Sequence, residues 1–124
     1  MPLNGVGLIY NEKKDYETAR EWLGKAIEME PNWAIPYNNY GTSYYYQNRF
    51  DEADSYYRRA VGLSPHWARP HAWLASVAEK RNDYNSAVAE YEQVFAPDAV
   101  GTESMDIESL RRRYEKAKSN SYNY

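Results

Sequence analysis

Small, bulky and turn-forming residues recur along this chain at a fixed step of 34 positions, and that period constrains the fold more tightly than composition does. The step links Gly7 with Gly41, Ala19 with Ala53 and Ala87, and Tyr16 with Phe50 and Tyr84. It also carries Pro2 to Pro36 and Pro70, Ala26 to Ala60 and Val94, Pro31 to Pro65, Trp33 to Trp67, and Tyr10 to Tyr44. Such a repeat means that each unit is one supersecondary element, unable to bury its apolar face except against its neighbours.

Within a unit the residue types read as a pair of helices. Gly7, Gly41 and Ala75 in the first helices, and Ala19, Ala53 and Ala87 in the second, are small where two backbones must approach closely. Val6, Tyr40 and Leu74, then Leu23, Tyr57 and Tyr91, supply bulk at one phase between them. Pro2, Pro36 and Pro70 sit near helix starts, where a missing N–H leaves no bond unmade. Pro31 and Pro65 follow the second helices and stop them. The spacing predicts helices over 3–13, 16–29, 35–47, 50–62, 69–81 and 84–96. Turns fall at Lys13-Lys14, Asn48-Arg49 and Asn82-Asp83, where Asp15 and Asp83 can accept N–H bonds from the next helix.

The stretches Ala-Ile-Pro-Tyr-Asn-Asn-Tyr-Gly-Thr-Ser-Tyr over 34–44 and Phe-Asp-Glu-Ala-Asp-Ser-Tyr-Tyr-Arg-Arg-Ala over 50–60, closed by Pro65, resemble the tetratricopeptide repeat family. The resemblance implies an all-α fold: a right-handed α-solenoid of three 34-residue helix-turn-helix repeats, at about 1–33, 34–67 and 68–101. The third unit drifts, with Ala75 for glycine, Val94 for alanine and an early Pro97. After Pro97 to Gly101, Ile107, Leu110, Tyr114 and Ala117 recur at helical spacing in a charged segment. A capping helix over about 103–118 is expected, covering the face that a further repeat would have covered. The whole of 1–118 reads as one domain, and 119–124 as a disordered tail.

Composition narrows function. The formal net charge is −3 with both signs interspersed, so no basic stripe suits nucleic acid, and a nucleic-acid partner is not expected. No cysteine is present to supply a thiolate or a cysteine-bearing metal site. His66 and His71, five positions apart, have no evident third ligand or acidic partner and read as turn and packing residues. No glycine-rich phosphate loop occurs, and no catalytic constellation is visible, so neither an enzyme, a cofactor nor a metal is expected. Lys13, Lys14, Asp15 and Glu17 break any apolar run near the start, which argues for a cytoplasmic protein without a membrane partner. Arg111, Arg112 and Arg113 are largely neutralised by Glu103, Asp106, Glu108 and Glu115 and read as a solvated face rather than a docking patch.

The resemblance also implies a working surface, since first helices in this family line a concave groove that holds a peptide or a partner helix. By register, the groove positions here are Asn4, Leu8, Asn38, Asn39, Thr42, Tyr45, Tyr46, Arg69, Trp73, Ser76 and Glu79. Asn11, Glu12, Ile35, Ala72 and Lys80 share that register. Tyr45, Tyr46 and Trp73 are the aromatic anchors, Asn38 and Asn39 can bond a peptide backbone, and Arg69 can fork a carboxylate. Some members grip the C-terminal carboxylate of chaperones with a lysine, two asparagines, a lysine and an arginine. Asn39 matches one asparagine and Arg69 can replace a lysine, but Asn4, Leu8 and Trp73 lack the required groups, so chaperone-tail binding is not expected. The expected function is thus a non-enzymatic adaptor for a protein or peptide partner. The alternative is a self-assembling scaffold, or a piece of a longer solenoid, joined through an uncovered edge at Leu3, Val6 and Ile9.

Overall fold

The close approach marked by the small residues is where the helices pair. In the computed structural model, which describes residues 2–121, the α-helices are α1 (Leu3–Glu12), α2 (Tyr16–Met29), α3 (Ala34–Tyr45), α4 (Phe50–Leu63), α5 (Ala68–Lys80), α6 (Tyr84–Val94) and α7 (Ile107–Ser121). Among the described residues there is no strand. Six helices fall within one or two residues of the sequence expectation. The pairs α1–α2, α3–α4 and α5–α6 pack as hairpins. The chain divides into two compact units, Met1–Pro65 and His66–Tyr124, where the sequence suggested a single domain over 1–118.

In the first unit a Cβ built on Gly7 would lie 2.5 Å from the Leu23 side chain, and one on Gly41 would lie 2.9 Å from the Tyr57 ring. The carbonyls of Ala19 and Ala53 approach the same two points at 3.2 and 3.1 Å. Both neighbouring side chains are fully buried and have no room to retreat. Around these crossings Ala19, Leu23, Ala26, Ala53, Tyr57 and Ala60 form the core. Tyr57 keeps its hydroxyl inside and pairs it with the Thr42 hydroxyl at 3.0 Å. Burial pushes its phenol far up, partly opposed by that bond. Tyr40 stacks on Tyr56 at 4.3 Å, and burial, reinforced by Tyr56 and Tyr44, raises its phenol to about 12.

Each hairpin turns the same way. Lys14, Asn48 and Asn82, again 34 apart, have φ of 66°, 59° and 56°. The following N–H then reaches back to the last helical turn: Asp15 to Tyr10, Arg49 to Tyr44 and Asp83 to Ala78, at 2.9, 3.0 and 2.9 Å. Asparagine tolerates this left-handed backbone, whereas lysine adopts it at a cost. Asp15 and Asp83 accept the N–H of Thr18 and Ser86 at 3.3 and 3.2 Å, and Ser86 adds its hydroxyl at 2.6 Å. These bonds to Ser86, side chain first, lower the Asp83 carboxyl.

In the second unit, α6 packs against α7 over a core that includes Ala75, Ala87, Tyr91, Val94, Leu110 and Ala117. The chain after α6 folds back on the start of α5: Val100 donates to His66 O at 2.7 Å and accepts from Ala68 N at 2.9 Å. That satisfies a first-turn N–H of α5. Gly101, at φ 79°, is required here because a Cβ would meet the Trp67 ring at 2.9 Å. A 3₁₀ turn at Thr102–Ser104 follows. The capping helix expected over 103–118 begins only at Ile107, because Asp106 accepts the Ser109 N–H at 3.1 Å and sets the start. It runs on to Ser121, so 119–121 are helical rather than disordered, and the remainder of the expected tail lies outside the described residues.

Two predictions follow from this packing. Gly41→Ala should cost about 1–3 kcal/mol in urea unfolding, because the buried Tyr57 ring must move. Gly62→Ala in α4, where nothing beyond the chain neighbours and the surrounding helix backbone lies within 4 Å of the added carbon, should add about 0.5–1 kcal/mol. For the cap, Asp83→Ala should cost about 1 kcal/mol at neutral pH. Because the folded carboxyl is lowered, its contribution is present above the unfolded value near 3.9 and lost as pH falls through the folded value. Unfolding curves of the two proteins should therefore draw together as pH falls below about 3.9 and coincide only below the lower, folded value.

Candidate functional site

Groove positions from α1 and α3 come together in the first unit. A cleft of about 710 Å³ is lined by Leu8, Asn11 and Glu12 of α1, Lys14 of the turn, Tyr16 of α2, and Thr42 and Tyr46 from the end of α3. Leu8 and Tyr46 are the apolar groups open to solvent, at 42% and 55% exposure. Tyr46 lies face to face with Tyr16, ring centroids 6.1 Å apart. Glu12 and Lys14 balance the local charge. The Thr42 hydroxyl is committed to Asn38 O and Tyr57, so Thr42 offers the cleft its methyl group more than a free donor.

The asparagines behave differently from the sequence expectation. Asn38 is 1% exposed and faces the interior, so it cannot meet a ligand backbone directly. Asn39 donates to Asn4 Oδ1 at 3.0 Å and receives Asn38 Nδ2 at 3.4 Å, while Asn11 donates to the Asn39 carbonyl at 3.1 Å. Four amides thus tie α1 to α3. Asn11 Oδ1 and Asn38 Oδ1 are buried and, among the described residues, find no hydrogen-bond partner. Tyr45 is also corrected: its half-buried ring stands edge-on to Phe50 at 5.4 Å and to Tyr46 at 5.6 Å, closing the α3–α4 hairpin. On the expected edge, Leu3 and Val6 are half-buried and Ile9 is 39% exposed.

Groove positions of α5 line a separate cleft of about 290 Å³ in the second unit. Arg69, Ala72, Trp73 and Ser76 form one wall. The opposite wall, missed in the sequence, comes from the segment leading into α7: Ser104, Met105, Asp106, Ser109, Leu110 and Arg113. Asp106, Ser109, Leu110 and Arg113 follow helical spacing, so a single face of α7 was readable, although its partner was not. Arg113 leaves the solvated face expected for it and reaches Ser76 Oγ at 2.7 Å and Glu79 Oε1 at 2.6 Å. Glu79 is therefore neutralised. Arg69 Nη2 donates to Ser104 Oγ at 2.7 Å and, among the described residues, meets no carboxylate within ion-pairing range. Arg111 instead covers the Phe95 ring at 4.4 Å.

The histidines have the acidic partners that sequence reading did not find. His71 Nδ1 lies 2.8 Å from Glu90 Oε1 between α5 and α6, nearly buried, and exposed His66 lies 3.3 Å from Asp98. Glu90 sits 19 positions beyond His71, so only the folded hairpin joins them. Among the described residues no three histidine, aspartate or glutamate side chains gather as a metal set, and no helix is long and apolar enough to cross a membrane.

Solved structures share this fold. The TPR2B domain of yeast Sti1 in complex with pHsp70 is 22% identical, with a TM-score of 0.81 over 91% of this chain and 90% of that one. The TPR2AB domain of yeast Sti1 in complex with pHSP90 is 22% identical, with a TM-score of 0.83 over 94% of this chain and 45% of that one. The Sgt2 TPR domain from Aspergillus fumigatus is 19% identical, with a TM-score of 0.79 over 94% and 75%. At these identities the likeness concerns the fold. No curated protein matches the sequence. Two family profiles, each described as Tetratricopeptide repeat, match residues 1–65 and 40–100, and with the first covering more than half of the residues, the chain belongs to the tetratricopeptide repeat family.

Proposed function

We propose that the protein is a non-enzymatic adaptor that holds an extended peptide or a helix of a partner protein on its first-helix faces. The observation that carries this reading is the cleft of the first unit, where exposed Leu8 and Tyr46 sit among Asn11, Glu12, Lys14 and Thr42. Apolar anchors set among a few polar groups are the surface that binds one segment in one orientation. The solved Sti1 domains carry pHsp70 and pHSP90, which supports a protein or peptide partner. The departures at Asn4, Leu8 and Trp73 argue against the same chaperone tails here.

Peptides selected by display against the protein test the reading. The double variant Leu8→Ala, Tyr46→Ala should weaken the selected peptide at least about tenfold, with little change in Tm, because both groups are exposed. Undiminished binding would defeat the proposal. Tyr45→Ala, by contrast, should lower Tm by several degrees, since its ring packs on Phe50.

A second reading is supported by the exposure of Ile9: copies of the chain join through Leu3, Val6 and Ile9. Light scattering after size exclusion should then show mass rising with concentration, and Ile9→Glu should return it to the monomer value. A constant monomer mass would remove this reading.

A further inference from the structure

We infer that the channel between α2 and α4 is a second docking surface, one that takes an acidic segment of a partner protein. It lies on the face of α3 opposite the Leu8 and Tyr46 cleft and serves a different partner segment from the one held there.

Tyr40 and Tyr44 each stand two positions from Thr42, which turns them about 200° around α3 from the cleft. There they reach both neighbouring helices. A Cβ on Gly24 of α2 would lie 3.9 Å from the Tyr40 ring, while Tyr56 of α4 stacks on Tyr40 at 4.3 Å and tilts against Tyr44 at 5.9 Å. All three tyrosines are only half-buried, so the floor they make is open to solvent.

Guanidiniums stand over this floor. Arg20 of α2 covers Tyr44 at 4.2 Å, and Arg59 of α4 covers Tyr56 at 5.2 Å. Among the described residues neither meets a carboxylate within ion-pairing range. Arg49, over Tyr44 at 4.6 Å, differs: it gives two bonds to Glu52 at 3.0 and 2.6 Å, and Glu17 stands near it. Arg20 is also fixed in place. Its Nη1 donates to Ser43 Oγ at 3.1 Å, and fully buried Ser43 is itself anchored on Tyr40 O at 2.6 Å. A half-buried guanidinium held by neutral partners keeps donors to spare and loses little freedom when a carboxylate arrives.

Gly24 is a second, independent sign. Close packing requires Gly7 and Gly41, whereas beyond its own helix Gly24 meets only the ordinary 3.9 Å contact with Tyr40, although glycine weakens a helix interior. Its missing side chain leaves the Tyr40 ring approachable from the α2 side. Tyrosine and arginine are also the residue types that carry most of the energy of binding surfaces. Measured through the rings, the Arg20 and Arg59 guanidiniums are at most about 15 Å apart, a span covered by a few extended residues with an acid at each end.

Three probes test this: acetyl-Glu-Leu-Leu-Glu-amide, its counterpart with glutamine at both ends, and inorganic phosphate. Each is titrated into the protein while the NMR signals of the Arg20 Nε–H and the Gly24 amide are followed. The acidic peptide should reach half-saturation at a concentration about fivefold lower than the glutamine peptide, the effect of charge-assisted contacts at a half-open site. Arg20→Met should remove most of that preference and Arg20→Lys should retain part of it. Gly24→Leu, which lays a side chain over Tyr40, should weaken the acidic peptide about as much as Arg20→Met does. The Leu8→Ala, Tyr46→Ala double variant should bind it unchanged. Comparing the two peptides on the unaltered protein needs no variant to fold. Equal titration by the two, unmoved Arg20 and Gly24 signals, a preference that survives Arg20→Met, or half-saturation by phosphate below that of the acidic peptide would each overturn the inference.

Discussion

Everything in the first unit depends on paired helices crossing where one of them, at Gly7 or Gly41, carries no side chain. At Gly7 and Gly41 the facing side chains, Leu23 and Tyr57, fill the space where a Cβ would be, and the carbonyls of Ala19 and Ala53 lie just beyond. A close crossing brings a large side chain of one helix over the backbone of its partner, where dispersion contacts accumulate and water is excluded. It also fixes which face of α3 remains outside. With Gly41 against α4, Asn38 turns inward, while Thr42 and Tyr46 are left along the cleft. The face left open to solvent is thus a by-product of the packing geometry. In α5 the same register holds Ala75, fully buried, so that crossing admits a methyl group and the third hairpin varies the theme without losing the contact.

The fold was readable in the sequence because the period records packing, and packing is local to each hairpin. The spacing of Ala19, Ala53 and Ala87 placed the crossings, and the asparagines at 48 and 82 marked turns that need a left-handed residue. Lys14 shows the limit of reading by residue type: its backbone matches those asparagines, and only its register reveals it. The start of α7 was misread by four residues because helical spacing alone was followed, whereas Asp106 was available as a cap. The extension of α7 through Ser121 was hidden by a polar stretch whose Ser121 hydroxyl finds the Lys118 carbonyl at 2.8 Å.

The site was legible only in part, for a reason that lies in how side chains choose partners. Register identified Leu8, Thr42, Tyr46, Arg69, Trp73 and Ser76 as lining residues, since it fixes the direction of Cβ. It could not say that Asn39 would be held by Asn4 and Asn11, or that Arg113 would cross to Glu79 from 34 positions away. Those choices depend on which polar group loses most when left unpaired, and this is decided only after the helices have docked. The same competition gives Arg69 to Ser104 and His71 to Glu90.

In the proposed function, exposure created by the helix crossings, and not the sequence motif as such, defines where a partner is held. The most direct measurement is a map of backbone amide shifts in the NMR spectrum of the protein saturated with a display-selected peptide. The largest changes should fall along Leu8, Glu12, Thr42 and Tyr46, with outer residues such as Lys25 of α2 and Arg59 of α4 unmoved. Changes concentrated on those outer helices instead, with the Leu8 and Tyr46 cleft silent, would contradict it.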